Sequence, residues 1–380
     1  MGNLVVSYFS DLFSSDGSDA DAISLILDCL GPPLDDLDFA FLDKPFTFKE
    51  VRKALFHLSG DKAPGLDGLN AYFYQKNWST LGVDFAKAVL SCLNEGVDFS
   101  AVNTTLISLI PKKQNAHTLK DFRLISLCST LYKVISKVLA NRLKVVLDKI
   151  ISPFQSAFVS GRVIFDNILI AQEIVHAISS RKKGKLGWAA LKLDMAKAFD
   201  RVNWHYLESL MFHFNFPSRF VSLIMKCIST TSLSFLINGS VHGLIHPSRG
   251  LRHGDPLSPY LFILCAEGFS ALLRANQVGL TYRAIPSLCY VLFSLAVKLC
   301  KGIEAVMADS GGDHQGLLTK SIGSLGSLYA NLNFRGLGFR SLIHFNQAMP
   351  AKQARLILRT LLLSLLLVLK ARYFLRTLLS

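Results

Sequence analysis

Asp194 ends the alternating run WAALKLD, in which Trp188, Ala190, Lys192 and Asp194 share one face of a strand and Ala189, Leu191 and Leu193 the other. A carboxylate there is a hard oxygen ligand in type, although a lone acid at a strand end also reads as a turn or cap residue. A second group of side chains is basic. Lys112 and Lys113 end the apolar run TLISLIPKK, and RKKGK occupies 181–185. Lys133, Lys137 and Lys144 line one face of a predicted helix. The Lys133–Lys144 row and RKKGK read as solvated faces before they read as binding ones. The seven cysteines, at 29, 92, 128, 227, 265, 289 and 300, include no C-x-x-C pair and no accompanying histidine pair. They read as reduced, buried thiols rather than as a zinc site. His242 and His246 are four apart, but Gly243 and Pro247 place them in a loop.

The elements that must position these groups follow from composition and punctuation. The chain has 380 residues, 51% of them apolar, enough for a large core in two or three domains. Mean hydropathy is +0.36. The longest apolar stretch, Leu361–Leu369, falls short of the roughly 20 residues of a spanning helix, and the N-terminus lacks a basic region. No secretory signal and no integral membrane association are expected, and the address is intracellular, nucleus or cytoplasm. Residues 1–43 carry nine Asp and no Lys, Arg or Glu, so the remaining 41 basic residues face only 18 acids. That surplus suits a polyanionic partner, nucleic acid through a basic surface.

Along the chain, one short helix is expected over Ile23–Leu30. The T-x-x-E box at Thr47–Glu50 starts a helix that Gly60 would stop. A glycine-rich turn, KAPGLDG, spans Lys62–Gly68, and helical patterning resumes over about 70–94. Thr105–Lys113 reads as a buried strand. After DFRLIS comes a long helix with Leu131, Ile135, Leu139, Leu143, Val146 and Ile150 on one face. SLSFLING and SVHGLIH form a hairpin about Asn238-Gly239. Asp255 caps a helix that begins at GDPLSP. The mixture predicts an α+β fold.

Four segments in this order resemble the reverse transcriptase of LINE-type (non-LTR) retrotransposons, the plant lineage in particular. They are DKAPGLDGLNAYFYQKNW (61–78), LISLIPKK through DFRLISLCSTLYKVISKVLANRLK (106–144), SPFQSAFVSGRVIFDNILIAQEIVH with LKLDMAKAFDRVNW (152–204), and GLRHGDPLSPYLFIL (250–264). The resemblance implies a right-hand polymerase-like fold of fingers and partial palm, followed by a mostly helical C-terminal segment. It implies an RNA template and a DNA primer as partners, and Mg²⁺ as cofactor. Asp194 would be the catalytic metal ligand. Lys112 and Arg123 would hold the triphosphate, and Phe199 would lie under the nucleotide sugar. His253 and Gly254 would adjoin the nucleotide. Lys62, Gly65, Gly68 and Arg252 would contact nucleic acid.

The sequence also departs from that pattern. Leu124 stands where the family has proline, and His253 where it has glutamine, a change expected to disturb a nucleotide-sugar contact. No Asp-Asp pair follows Asp194; the chain's one such pair is Asp35-Asp36. Ala308-Asp309 has no strand–turn–strand context and is not read as a substitute. From about Thr281–Arg283 onward the text resembles sequence well downstream of the palm, as if an internal stretch were deleted. The expected organisation is an acidic leader or linker (1–46), fingers and partial palm (47–282), and a fragment of the downstream region (283–380). An RNA-directed DNA polymerase in origin is expected to be catalytically defective. No endonuclease domain is expected before residue 47 and no zinc knuckle after the matching segments. LILRTLLLSLLLVLKARYFLRTLLS reads either as a buried helix or as one lying on a membrane surface.

Overall fold

Runs of β-branched and apolar residues build a four-stranded sheet in this computed structural model, which describes residues 2–15, 17–180, 195 and 197–276. Strands β1 (Thr104–Pro111) and β2 (Phe122–Cys128) pair antiparallel, as do β3 (Ser232–Ile237) and β4 (Ser240–Ile245). Between the two hairpins β1 runs parallel to β3, giving the order β2-β1-β3-β4. Asn238 (φ 50°) and Gly239 (φ 81°) both take the left-handed region that a two-residue hairpin turn requires. With helices around the sheet, the α+β expectation is met.

Residues 2–43 hold three helices where one was expected: α1 (Gly2–Phe13), α2 (Ala20–Leu27) and α3 (Asp36–Asp43). Helix α1 packs on the sheet. Its Val5, Phe9, Leu12 and Phe13 are buried with Ile107, Leu124, Leu233, Phe235 and Ile245, and Phe9 stacks on Phe235 at 5.0 Å. Gly243 (φ +65°) leaves room for Val6, because a Cβ there would stand 2.4 Å from the valine side chain. The C-terminal carbonyls of α1 are held by Arg249, whose Nε donates to Leu12 O at 2.9 Å, and by Ser248 N, which donates to Phe13 O at 2.9 Å. This segment is therefore part of the core, whatever its charge suggests.

Thr47 and Glu50 form the expected capping box at α4 (Phe48–Phe56), which ends four residues before Gly60. Helices α5 (Ala71–Lys76) and α6 (Trp78–Leu90) follow, divided at Asn77. The long helix α7 (Thr130–Ile150) buries Ile135, Leu139, Leu143, Val146 and Ile150 as its spacing predicts. Arg142 on α7 fixes the approach to α4. Its guanidinium lies 3.7 Å over Phe46, meets Glu50 at 2.7 Å and donates to the carbonyls of Leu42, Lys44 and Pro45. After α8 (Ile164–Ser180) come α9 (Trp204–His213), α10 (Ser218–Ser229) and α11 (Ser258–Asn276). The chain divides into two compact units, Met1–Arg162 with Leu193–Lys301 and Val163–Lys192 with Gly302–Ser380; α8 belongs to the second. The predicted WAALKLD strand, the junction near 281–283, Ala308-Asp309 and the leucine-rich C-terminal stretch lie outside the described residues.

Two outcomes follow from this packing. Phe9→Ala removes a buried ring from the sheet face and costs about 3–5 kcal/mol in urea unfolding, whereas a detached leader would leave the midpoint unchanged. Burial pushes the Glu50 carboxyl up, but hydrogen bonds from Arg142 and Thr47 outweigh it and hold it below its ordinary 4.5. A depressed carboxyl stabilises the fold above about pH 4.5 and loses that contribution as pH falls through the folded value. The gap in unfolding midpoint between wild type and Glu50→Gln therefore narrows from pH 7 to pH 3.

Candidate active site

The β1–β2 register brings two expected phosphate-binding cations to one end of one hairpin. Arg123 pairs with Ile110, and Lys112 follows directly after β1 ends at Pro111. Both are exposed. The Lys112 backbone N–H donates to Asp121 O at 2.8 Å and its Nζ to Lys120 O at 3.1 Å, which fixes the strand end.

The KAPGLDG loop lies against the β2–α7 junction. Lys133 Nζ donates to Ala63 O at 3.0 Å, and Thr130 Oγ1 donates to Leu69 O at 2.8 Å. A Cβ on Gly65 would meet the Ser129 nitrogen at 2.5 Å, so only glycine allows this approach. Gly68 turns at φ +69° and faces open space, and Lys62 is exposed beside it.

The GLRHGDP loop (250–256) is bound to the segment after Asp194. Gly250 N donates to Val202 O at 2.8 Å and Leu251 N to Phe199 O at 2.7 Å, while Trp204 Nε1 donates to Gly250 O at 2.7 Å. Phe199 stacks between Phe262 at 4.5 Å and His253 at 5.4 Å. His253 Nε2 also lies 2.9 Å from Asp200 Oδ1, its side chain 41% exposed against 6% for the aspartate. The histidine thus lies flat on the expected sugar-side ring, anchored by an acid that sequence reading passed over. Gly254 takes φ +87° on the exposed side of the loop.

Lys197 was also missed. It adopts φ +55°, lies 4.0 Å from Asp200 Oδ2 and stands over the Tyr8 and Phe9 rings at 5.1 and 5.4 Å. Burial lowers its pKa first, Arg201 and Lys120 lower it further, and Asp200 opposes them. A left-handed lysine gives no signal in a sequence.

Arg252, expected to contact nucleic acid, turns its guanidinium inward. Nη1 donates to Thr105 Oγ1 at 2.9 Å and meets Cys128 Sγ at 3.5 Å. Nη2 donates to Asn103 Oδ1 (2.7 Å), Cys227 O (3.0 Å) and Thr231 Oγ1 (2.6 Å). The group lies 4.2 Å over the Tyr132 ring. With both terminal nitrogens engaged inside the fold, only the Nε–H of this guanidinium is left for a phosphate.

Asp194 lies outside the described residues. Among those described, no group of three His, Cys, Asp or Glu side chains is placed to hold a metal ion. Asp200 faces His253, and Asp255 accepts from Ser136 Oγ at 2.6 Å and from Ser258 N at 3.2 Å, capping α11 as its sequence predicts. These two carboxylates are engaged, so the described residues do not by themselves fit the magnesium that the resemblance implies. The described cysteines are free thiols. No described helix is long and apolar enough to cross a membrane.

These roles separate under mutation. Arg252→Met leaves several interior acceptors without a donor and lowers unfolding stability by about 3 kcal/mol or more. Lys62→Ala, on the surface, stays within about 0.5 kcal/mol of wild type. Chemical denaturation of both variants checks the contrast.

Residues 110–293 match the family described as reverse transcriptase (RNA-dependent DNA polymerase). The chain is 36% identical over 290 residues, 76% of its length, to an uncharacterized 149 kDa protein of transposon TX1 from Xenopus laevis, covering 22% of that protein. It is 28% identical over 235 residues, 61% of its length, to a retrovirus-related Pol polyprotein of the type-2 retrotransposable element R2DM from Drosophila melanogaster, covering 21% of it. A 45-residue stretch, 12% of the chain, is 67% identical to an uncharacterized mitochondrial protein of Arabidopsis thaliana, covering 37% of that protein. The chain thus spans about a fifth of the length of the two transposon relatives. Together the motif order, the α+β fold and these matches establish that it carries a reverse transcriptase domain whose homologues are proteins of non-LTR retrotransposons.

Proposed function

We propose that this domain holds nucleotide and nucleic acid but does not polymerise efficiently. The observation that carries the reading is in the sequence: Asp194 has no Asp-Asp pair after it in the chain. Two-metal phosphoryl transfer needs clustered carboxylates to hold both ions. Asp200 and Asp255, paired with His253 and with Ser136 and Ser258, offer no replacement. If one ion supplies ~4 kcal/mol of transition-state stabilisation, its absence lowers the rate about a thousandfold.

Binding is supported separately. Lys112 and Arg123 are both exposed at one end of the β1–β2 hairpin, Lys62 stands on an exposed glycine turn, and the chain carries a net charge of +14. The second reading, a nucleic-acid-binding module without catalysis, rests on these cations. An internal deletion near Thr281–Arg283 would explain the missing acids, and sequencing the transcript across the codons for Asn276 to Ala284 tests that origin. The match to the Arabidopsis protein supports a plant lineage.

The direct test is primer extension on an RNA template with Mg²⁺, comparing wild type with Asp194→Ala. Both are expected to give no extended product, while both retain the RNA in a gel-shift assay at low salt. Product formed by wild type and absent from the variant would show that the site is complete after all.

A further inference from the structure

Helix α4 lies before the residues matched to the reverse transcriptase family, and its outer side serves nothing described above. Phe48, Arg52 and Phe56 recur at four-residue spacing along one stripe of this helix. The two rings are 41% and 45% exposed, a large apolar area to leave facing water. Neither is loose. Trp78, the first residue of α6, packs against Phe48 at 5.7 Å and Phe56 at 5.8 Å, and its indole is backed by Phe85 at 6.4 Å. Gly82 makes room for the indole, since a Cβ there would stand 2.6 Å from its ring atoms. The Arg52 guanidinium covers the Phe56 ring at 5.1 Å.

The exposed charges of α4 have one sign. Lys49, Arg52 and Lys53 are exposed on α4. The helix's single acid, Glu50, is turned to Arg142 and unavailable as their counter-charge. Fixed aromatic faces interleaved with unopposed cations match a partner that carries flat rings on a phosphate chain. A protein partner with an apolar face would need the rings alone, and the three cations would oppose its approach unless it were acidic.

We propose that Phe48, Phe56 and Trp78, with Lys49, Arg52 and Lys53, form a stacking platform for single-stranded nucleic acid, separate from the nucleotide site at Lys112 and Arg123. One base stacks on Phe48 and another on the Arg52 guanidinium that covers Phe56, while Lys49 and Lys53 follow the backbone, a mode that tolerates any sequence and requires unpaired bases. The inference rests on the domain's being a nucleic-acid binder but not on its catalytic state.

The experiment measures fluorescence anisotropy of labelled dT20, of U20 and of a 20-base-pair duplex with the full chain. Phe48→Leu/Phe56→Leu keeps apolar bulk and removes the π faces. It is expected to weaken dT20 and U20 binding by about tenfold or more, the order of one lost base stack, and to leave duplex binding nearly unchanged. Phe48→Tyr/Phe56→Tyr is expected to restore the single-strand affinity. Lys49→Ala/Lys53→Ala lowers affinity and flattens the salt dependence by about 0.7 in log–log slope for each phosphate contact removed. Circular dichroism melts confirm that the variants fold. Triphosphate binding, followed with Lys112→Ala/Arg123→Ala as control, is expected to survive the α4 changes, which separates failure here from failure of the nucleotide site. Wild-type affinity in the leucine variant, or equal losses for duplex and single strand, would overturn the platform. Self-association abolished by the tyrosine variant would also overturn it, by assigning the face to a second copy of the chain.

Discussion

The inward guanidinium of Arg252 is the interaction on which the rest of the described architecture depends. It joins four stretches of chain to its own loop: Asn103 and Thr105 where β1 begins, Cys128 at the end of β2, Tyr132 on α7, and Cys227 and Thr231 where α10 gives way to β3. A lysine could not replace it, because only the planar fork presents several donors in fixed directions. Its backbone belongs to the loop that carries His253 and Gly254. The same charge that closes the core therefore sets where the exposed half of the loop stands.

From that anchor the site is assembled by short local bonds. Gly250, Leu251 and Trp204 bind the loop to Phe199–Val202, and the Asp200–His253 contact closes the frame on its outer side. Helix α1 covers the sheet and brings Tyr8 and Phe9 under Lys197. The substitution of histidine at 253, expected to disturb the site, produces a ring stacked on Phe199 and held by a carboxylate. Rigid packing behind an exposed ring is the arrangement that a binding site needs.

Features written in adjacent residues were legible in the sequence. The Thr47–Glu50 box, the Asn238-Gly239 turn and the Asp255 cap each depend on a few neighbours, and each forms as read. The α7 face was legible because period and burial coincide. The role of α1 was not, since nine aspartates in the first 43 residues hid the Val5, Phe9 and Leu12 spacing. Arg252 was misread for a different reason. An arginine in a basic loop looks the same whether it faces solvent or core, and its partners lie 21 to 149 residues away. Asp200 was passed over because its partner is fixed only by the tertiary fold.

A double-mutant cycle between Arg252→Met and Asn103→Leu, read by chemical denaturation, tests the central claim most directly. If the guanidinium is the shared anchor, the two losses are strongly non-additive, with a coupling of about 1–3 kcal/mol. Losses that add within about 0.5 kcal/mol would mean that the arginine and its partners stabilise the molecule independently, contradicting the account.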